Sequence, residues 1–296
     1  MNWEVQTMPS KTSFCNGTEF RKCLSRWWPL WVIYGVILFI LLPGVLLNAR
    51  TTTPYMTTPY VSTEQIGYLS NVILSETQML LPLTAFCAGL LAAAAMFGYL
   101  YTPRGAGLAA SLPIRRGCMF RTHLLAGLLM LLSAEVVVFG LAVLIEATRF
   151  GLVIEPLLIW LGILALETVV FYGIAVLCAM FTGHVVMLPC LYLLVNFIAV
   201  GFQLLIESVL YTFVYGMSGM VDLPVDWLSP LVLFMRRTSI SRDYLPRPIS
   251  GTGAEAAVNS FSGWTYPLVW AAFALLLLVC AGQLYRRRRM ESAGDT

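Results

Sequence analysis

The sequence predicts an all-α integral membrane protein with six transmembrane helices, and three observations carry that expectation. Only 11% of the residues are charged against 59% hydrophobic, with a mean hydropathy of +0.80, whereas soluble domains are nearer a quarter charged. Apolar runs of bilayer-crossing length, about 20 residues, recur along the chain. Between two of them lies a short polar break, residues 103–123 (PRGAGLAASLPIRRGCMFRTH), which carries four arginines. A basic connection that short, held between two spans, belongs on the cytoplasmic face and reads as a docking surface.

The elements follow in order as a single membrane domain, residues 1–296. Residues 18–28 (TEFRKCLSRWW) place Phe20, Leu24, Trp27 and Trp28 on one helical face, with Arg21, Lys22, Ser25 and Arg26 mostly elsewhere. This is either an interfacial helix leading into the membrane or a basic flank with an aromatic belt. The first span is expected at 29–47, followed by an outer loop, 48–75, whose TTPYMTTPY repeat argues for extended chain. The second span, 79–101, carries Ala85, Gly89 and Ala93, and Ala88, Ala92 and Met96, at four-residue spacing. Small residues so spaced let helix backbones approach in lipid, within the chain or across a dimer.

The third span is expected at 124–145 and, after a short connection, the fourth at 156–181, with Pro156 in its first turn. A tight turn at 182–184 leads to the fifth span, 185–206, where Pro189 predicts a kink. The outer stretch 207–264 is rich in Gly and Pro. Its apolar piece, 227–234, is too short to cross and reads as a re-entrant or surface helix. The sixth span, 265–285, ends in Arg286–Arg289, a stop-transfer and lipid-headgroup anchor.

Charge sets the orientation. With both termini inside, the inner segments hold Lys11, Arg21, Lys22, Arg26, Arg104, Arg115, Arg116, Arg121 and Arg286 to Arg289, twelve of the eighteen basic residues. The outer segments hold Arg50, Arg149, Arg236, Arg237, Arg242 and Arg247, four of them in the long fifth-to-sixth loop. None of the seven cysteines falls in the two long outer loops, so no disulfide framework is indicated. The polar lead of about thirty residues before a full-length apolar run does not fit a cleavable signal peptide.

Several chemistries are excluded by counting. Lys11 and Lys22 are the only lysines, and neither follows a glycine-rich phosphate loop, so no ATPase is encoded here. His123 and His184 are the only histidines and lie in no H-E-x-x-H pattern. The spans offer scattered Glu, Asn and Gln rather than a clustered nucleophile, base or metal site. The chain is therefore expected to be non-catalytic, with no cofactor or metal of its own and no nucleic-acid partner. Glu135 and Glu167, mid-way along the third and fourth spans, are the candidate pathway residues. A carboxylate at that depth costs a few kcal/mol, so each must face the bundle interior, be neutral or find a partner. Within 103–123, Pro113 opens a turn into 114–120, where Ile114, Cys118 and Arg121 sit at helical spacing. A short amphipathic helix there would suit a cleft on another protein.

Three stretches carry a family likeness: FRKCLSRWWPLWVIYGVILFILLPG into the first span, SLPIRRGCMFRTHLLAG after the second, and the ending LYRRRRMESAGDT. Together, in this order and with six spans, the chain resembles the permease subunits of ATP-binding-cassette exporters of the second type. The resemblance implies a dimer of permeases, identical or sister chains, working with two copies of a separate ATPase that binds ATP and Mg. It places a coupling helix in the 103–123 loop, with Leu112, Pro113, Ile114, Arg115, Arg116 and Phe120 as the coupling residues. It also implies an interfacial N-terminal helix, re-entrant helices before the sixth span, and residence in a bacterial cytoplasmic membrane. The chain departs from the family in its long, basic fifth-to-sixth loop. Two other classes fit the same layout: an ion-coupled secondary transporter and a non-transporting sensor or immunity subunit.

Overall fold

The computed structural model describes residues 16–48, 63–112, 114–149, 154–213, 227–237, 239–241 and 260–287. Lys11, the TTPYMTTPY repeat, Pro113, Arg242, Arg247, Arg288 and Arg289 lie outside them. The described chain is helical: α1 (Gly17–Leu41), α2 (Pro43–Asn48), α3 (Thr63–Phe97) closed by a 3₁₀ turn (Gly98–Tyr101), α4 (Pro103–Ser111), α5 (Arg116–Arg149), α6 (Ile154–Phe181), α7 (Met187–Phe213), α8 (Pro230–Arg237) and α9 (Thr265–Arg287). One short antiparallel pair, β1 (Ser239–Ser241) with β2 (Ser260–Ser262), sits between α8 and α9. Among the described residues, six helical stretches are long and apolar enough to cross a membrane: Gly17–Asn48, Leu80–Tyr101, Arg116–Thr148, Ile154–Phe181, Met187–Phe213 and Thr265–Arg287.

α6 is the axis of the bundle. Its most apolar window is 78% buried, against 11% for α7, which lies at the periphery. The densest packing is α3 on α6, and Gly89 is its reason. A Cβ built there would stand 2.8 Å from the backbone N of Tyr172 and 2.9 Å from the backbone C of Phe171. The Ala85, Gly89, Ala93 and Ala88, Ala92 rows are thus used inside the chain, and these alanines are all buried. α9 meets α6 in the same way, with Gly173 against Ala274.

α1 starts on an Asn16 cap, whose side chain accepts from the Thr18 N–H at 3.1 Å. It bends at Trp27, the one residue inside it with non-helical backbone angles (φ −107°, ψ 16°), two residues before Pro29. The bend separates the polar stretch 17–26 from the apolar crossing.

Helix ends differ from the hydropathy reading in one systematic way: they run past the apolar windows. α3 begins at Thr63, not near 79, so the second half of the expected outer loop 48–75 is helix, with Ile73 and Leu74 buried. α5 reaches Arg149 and α7 reaches Phe213. Hydropathy marks where a helix leaves lipid, not where its hydrogen bonding stops. Pro189 makes no mid-helix kink: α7 starts at Met187, so the proline falls in the first turn, where no amide donor is needed.

The short apolar piece before the last span forms α8. Leu231, Leu233 and Phe234 are buried, and the Phe234 ring meets Phe171 edge-on at 5.7 Å. Phe171 lies well inside α6, so α8 packs deep in the bundle although its eight residues are too few to cross it.

Candidate functional site

Two regions concentrate polar chemistry. The first is a carboxyl pair in the bundle interior. Tyr34 of α1 donates its hydroxyl to Glu135 Oε1 at 3.0 Å, and Thr168 of α6 donates to the same oxygen at 2.6 Å. Glu135 on α5 therefore ties three helices together, and Trp31 Nε1–H to Ser133 Oγ at 3.0 Å adds a second α1–α5 link. Glu167 precedes Thr168 and is as fully buried as Glu135. Glu135 Oε2 and both oxygens of Glu167 have no hydrogen-bond partner among the described residues. The structure thus brings the two mid-span glutamates to one region and leaves three of their four oxygens unengaged.

Two other polar groups in the spans bond within their own helix. Asn196 donates Nδ2–H to Tyr192 O, one turn back, at 2.9 Å, and Gln203 donates to Glu207 Oε1 at 2.8 Å. Glu146, read from the sequence as the start of a connection, lies in α5 about three turns beyond Glu135 and is fully buried. The sequence signal for it was present: it follows Glu135 at a spacing that returns to the same helical face.

The second region is one end of the bundle. Asn16 N–H bonds Thr122 Oγ1 at 3.1 Å, the hydroxyls of Tyr99 and Tyr285 meet at 2.9 Å, and Phe120 and Tyr285 stack at 5.4 Å. These contacts gather the start of α1, the 3₁₀ turn that leads into α4, the start of α5 and the end of α9. Arg21, Lys22, Arg26, Arg104, Arg115, Arg116, Arg121, Arg286 and Arg287 all sit on these segments.

The helix between the second and third spans is not where the sequence placed it. It is α4, Pro103–Ser111, and residues 116–120 are already the first turns of α5. Two physical reasons explain the exchange. The residue before a proline is pushed out of the helical region, and Leu112 is extended (φ −71°, ψ 135°). Beyond Arg116 there is no breaker, so the helix continues into the span, its start marked by Arg115 O, which accepts from the N–H groups of Cys118 and Met119 at 2.9 and 3.1 Å. On the near side, Pro103 at the first helical position and an alanine-rich run favour α4.

The coupling residues consequently divide. Leu112 and Ile114 are half-buried, linked by an Ile114 N–H to Leu112 O bond of 2.7 Å. Arg115 and Arg116 are exposed. Phe120 presents no surface: it is 4% exposed and packs between Phe97 and Tyr285. Pro113 lies outside the described residues. Missed from the sequence were Arg104, Leu108 and Ser111, the exposed face of α4, with Leu108 70% exposed; its opposite face buries Ala106 and Ala109.

A cleft of about 990 Å³ opens between the polar start of α1 and α4, lined among others by Lys22, Arg26, Trp27, Ala95, Leu108 and His123. Among the described residues no group of three or more His, Cys, Asp or Glu side chains is placed to hold a metal. No protein-family model matches the chain, and no curated protein matches it.

Proposed function

We propose that this chain is the permease subunit of an ATP-binding-cassette exporter in a bacterial cytoplasmic membrane. Two permeases, identical or sister chains, would work with two copies of a separate ATPase that binds ATP and Mg. The observation that carries the reading is the exposed face at the arginine-bearing end: a short helix, α4, set between two membrane-length helices and presenting Arg104, Leu108 and Ser111, followed at once by Arg115 and Arg116. An exposed leucine on a short helix with arginines before and after it in the chain suits docking to a partner. The concentration of arginine at this end argues that it is the cytoplasmic one, with both termini inside. Two further features fit the reading: the polar start of α1 bent at Trp27 as an interfacial helix, and the depth of α8 as a re-entrant segment.

The mechanism is mechanical. Closure of the ATPase would push on α4 and the 112–116 connection, and the bend of α1 and the start of α5 would pass that motion to the bundle. Phe120 acts inside, wedging α5 against α3 and α9, and so serves transmission rather than docking.

The test is affinity purification of the tagged chain from its native membrane. Wild type should bring down a separate ATPase. The variants Leu112→Asp/Arg115→Glu and Leu108→Asp/Arg115→Glu should lose it about tenfold or more while still eluting as folded protein. Retention of the ATPase by both folded variants would remove these residues from the interface.

One observation favours a second reading, an ion-coupled transporter: the buried Glu135–Glu167 pair with its unengaged oxygens. Absence of any ATPase from wild type under gentle detergent would put this reading first. Glu135→Gln and Glu167→Gln would then be the variants expected to block transport.

A further inference from the structure

The cleft between the start of α1 and α4 lies where three crossings change character together. α1 passes from polar to apolar at its Trp27 bend, α3 gives way to the 3₁₀ turn that ends at Tyr101, and α5 passes from polar to apolar at His123. Trp27 and Tyr99, both on the cleft wall, are the aromatic types that settle at a membrane–water interface. A cleft at this level opens among lipid headgroups and the first methylenes of the chains.

Its chemistry is divided to match. Lys22 and Arg26 stand one turn apart on the same helix and both line the cleft. Lys22 is held by Glu19 at 2.9 Å. Arg26 has no carboxylate partner among the described residues; its guanidinium lies over the Trp27 ring at 5.6 Å. The cleft therefore carries one surplus positive charge beside the hydroxyls of Ser25 and Thr102. Much of the remaining lining is apolar, and Ala94 and Ala95 are small side chains that leave room for a ligand. At about 990 Å³ it is at the upper limit for small-molecule sites, a size suited to a headgroup with the beginning of its chains.

We propose that this cleft holds one anionic phospholipid, with its phosphate on Arg26 and Lys22 and an acyl chain along Ala94 and Ala95. A bound lipid would fill the space between the interfacial start of α1 and α4, so that the two move as one body. The proposal needs only that the chain sits in a membrane and does not rest on the transport reading.

The test is native mass spectrometry of the full chain purified in detergent, titrated with phosphatidylglycerol or with phosphatidylcholine of identical chains. Wild type should retain one phosphatidylglycerol and bind it about tenfold more tightly than phosphatidylcholine. Arg26→Gln should remove that preference, and Ala95→Phe should weaken both lipids by filling the apolar part. Arg287→Gln, the same charge loss at the same end but off the cleft, should bind like wild type. Arg26 is exposed, so its variant remains informative if Ala95→Phe does not fold. Equal binding by wild type and Arg26→Gln overturns the proposal, as does an equal loss in Arg287→Gln, which would mean general surface attraction. Displacement of the lipid by millimolar glycerol phosphate would reduce the site to an anion site. A cross-link from Ala95→Cys to a co-purifying protein, with no lipid retained, would make the cleft a protein socket.

Discussion

Gly89→Val is expected to be recovered almost entirely as misfolded chain, and Gly89→Ala to melt well below wild type. A Cβ at position 89 meets two backbone atoms of α6 at 2.8 and 2.9 Å. Backbone inside a helix cannot swing aside as the tip of a side chain can, so α3 and α6 must separate along their whole contact. Overpacking of this kind costs about 1–3 kcal/mol, and more when the helix itself must move. That is a large part of the roughly 5–15 kcal/mol that holds a folded domain together. Gly35→Ala is the control: it lies in α1, and a Cβ there meets nothing within 4 Å. Its helix should gain about 0.5–1 kcal/mol from the lost chain freedom of glycine. Scanning fluorimetry of the detergent-purified chains reads the difference. A Gly89→Ala midpoint equal to that of wild type would contradict the close α3–α6 crossing.

The two buried glutamates should respond in opposite directions. Glu135→Leu removes the acceptor for two buried hydroxyls. Thr168 can turn to a carbonyl in the preceding turn, as serines and threonines in helices do, but Tyr34 is left with a buried, unmade hydrogen bond, a cost of about 1–3 kcal/mol. Glu167→Leu exchanges a carboxyl with no hydrogen-bond partner among the described residues for an apolar group of similar size. Replacing a buried polar group by an apolar one of the same shape is nearly neutral or stabilising. The expected order of unfolding midpoints is Glu135→Leu, then wild type, then Glu167→Leu at or above it. Adding Tyr34→Phe to Glu135→Leu should recover part of the loss, since the stranded hydroxyl is gone. A Glu167→Leu chain that melts as early as Glu135→Leu would mean that Glu167 has a structural partner. If instead it is stable but inactive in transport, Glu167 is kept for function at the expense of stability.

Some of this was legible in the residues. All six membrane-length helices were placed, because a crossing must be apolar for about 20 residues and must satisfy its own backbone. Glu135 and Glu167 were singled out because charge at that depth is costly. The ends of the helices were not legible: the polar start of α3 and the C-terminal ends of α5 and α7 lie beyond the apolar windows, and Glu146 falls in the expected connection for that reason. The helix in the 103–123 segment was assigned to the wrong side of Pro113. Its periodicity after the proline was real, but it belonged to the first turns of a long helix. A period of 3.6 shows that residues share a face and says nothing of where the helix ends.

The sequence by itself determined a six-span membrane chain, the cations that flank its spans and the two acidic groups mid-way across. Only the tertiary structure decided that α6 is the axis, that Gly89 faces Tyr172 rather than a second copy, that Tyr34 and Thr168 meet at Glu135, and that Phe120 points inward. The physical reason is the solvent. In lipid an apolar side chain gains nothing by leaving its surroundings for another helix, so hydrophobicity does not rank the faces of a helix. Close fit of small residues and pairing of buried polar groups do, and both are properties of two helices at once.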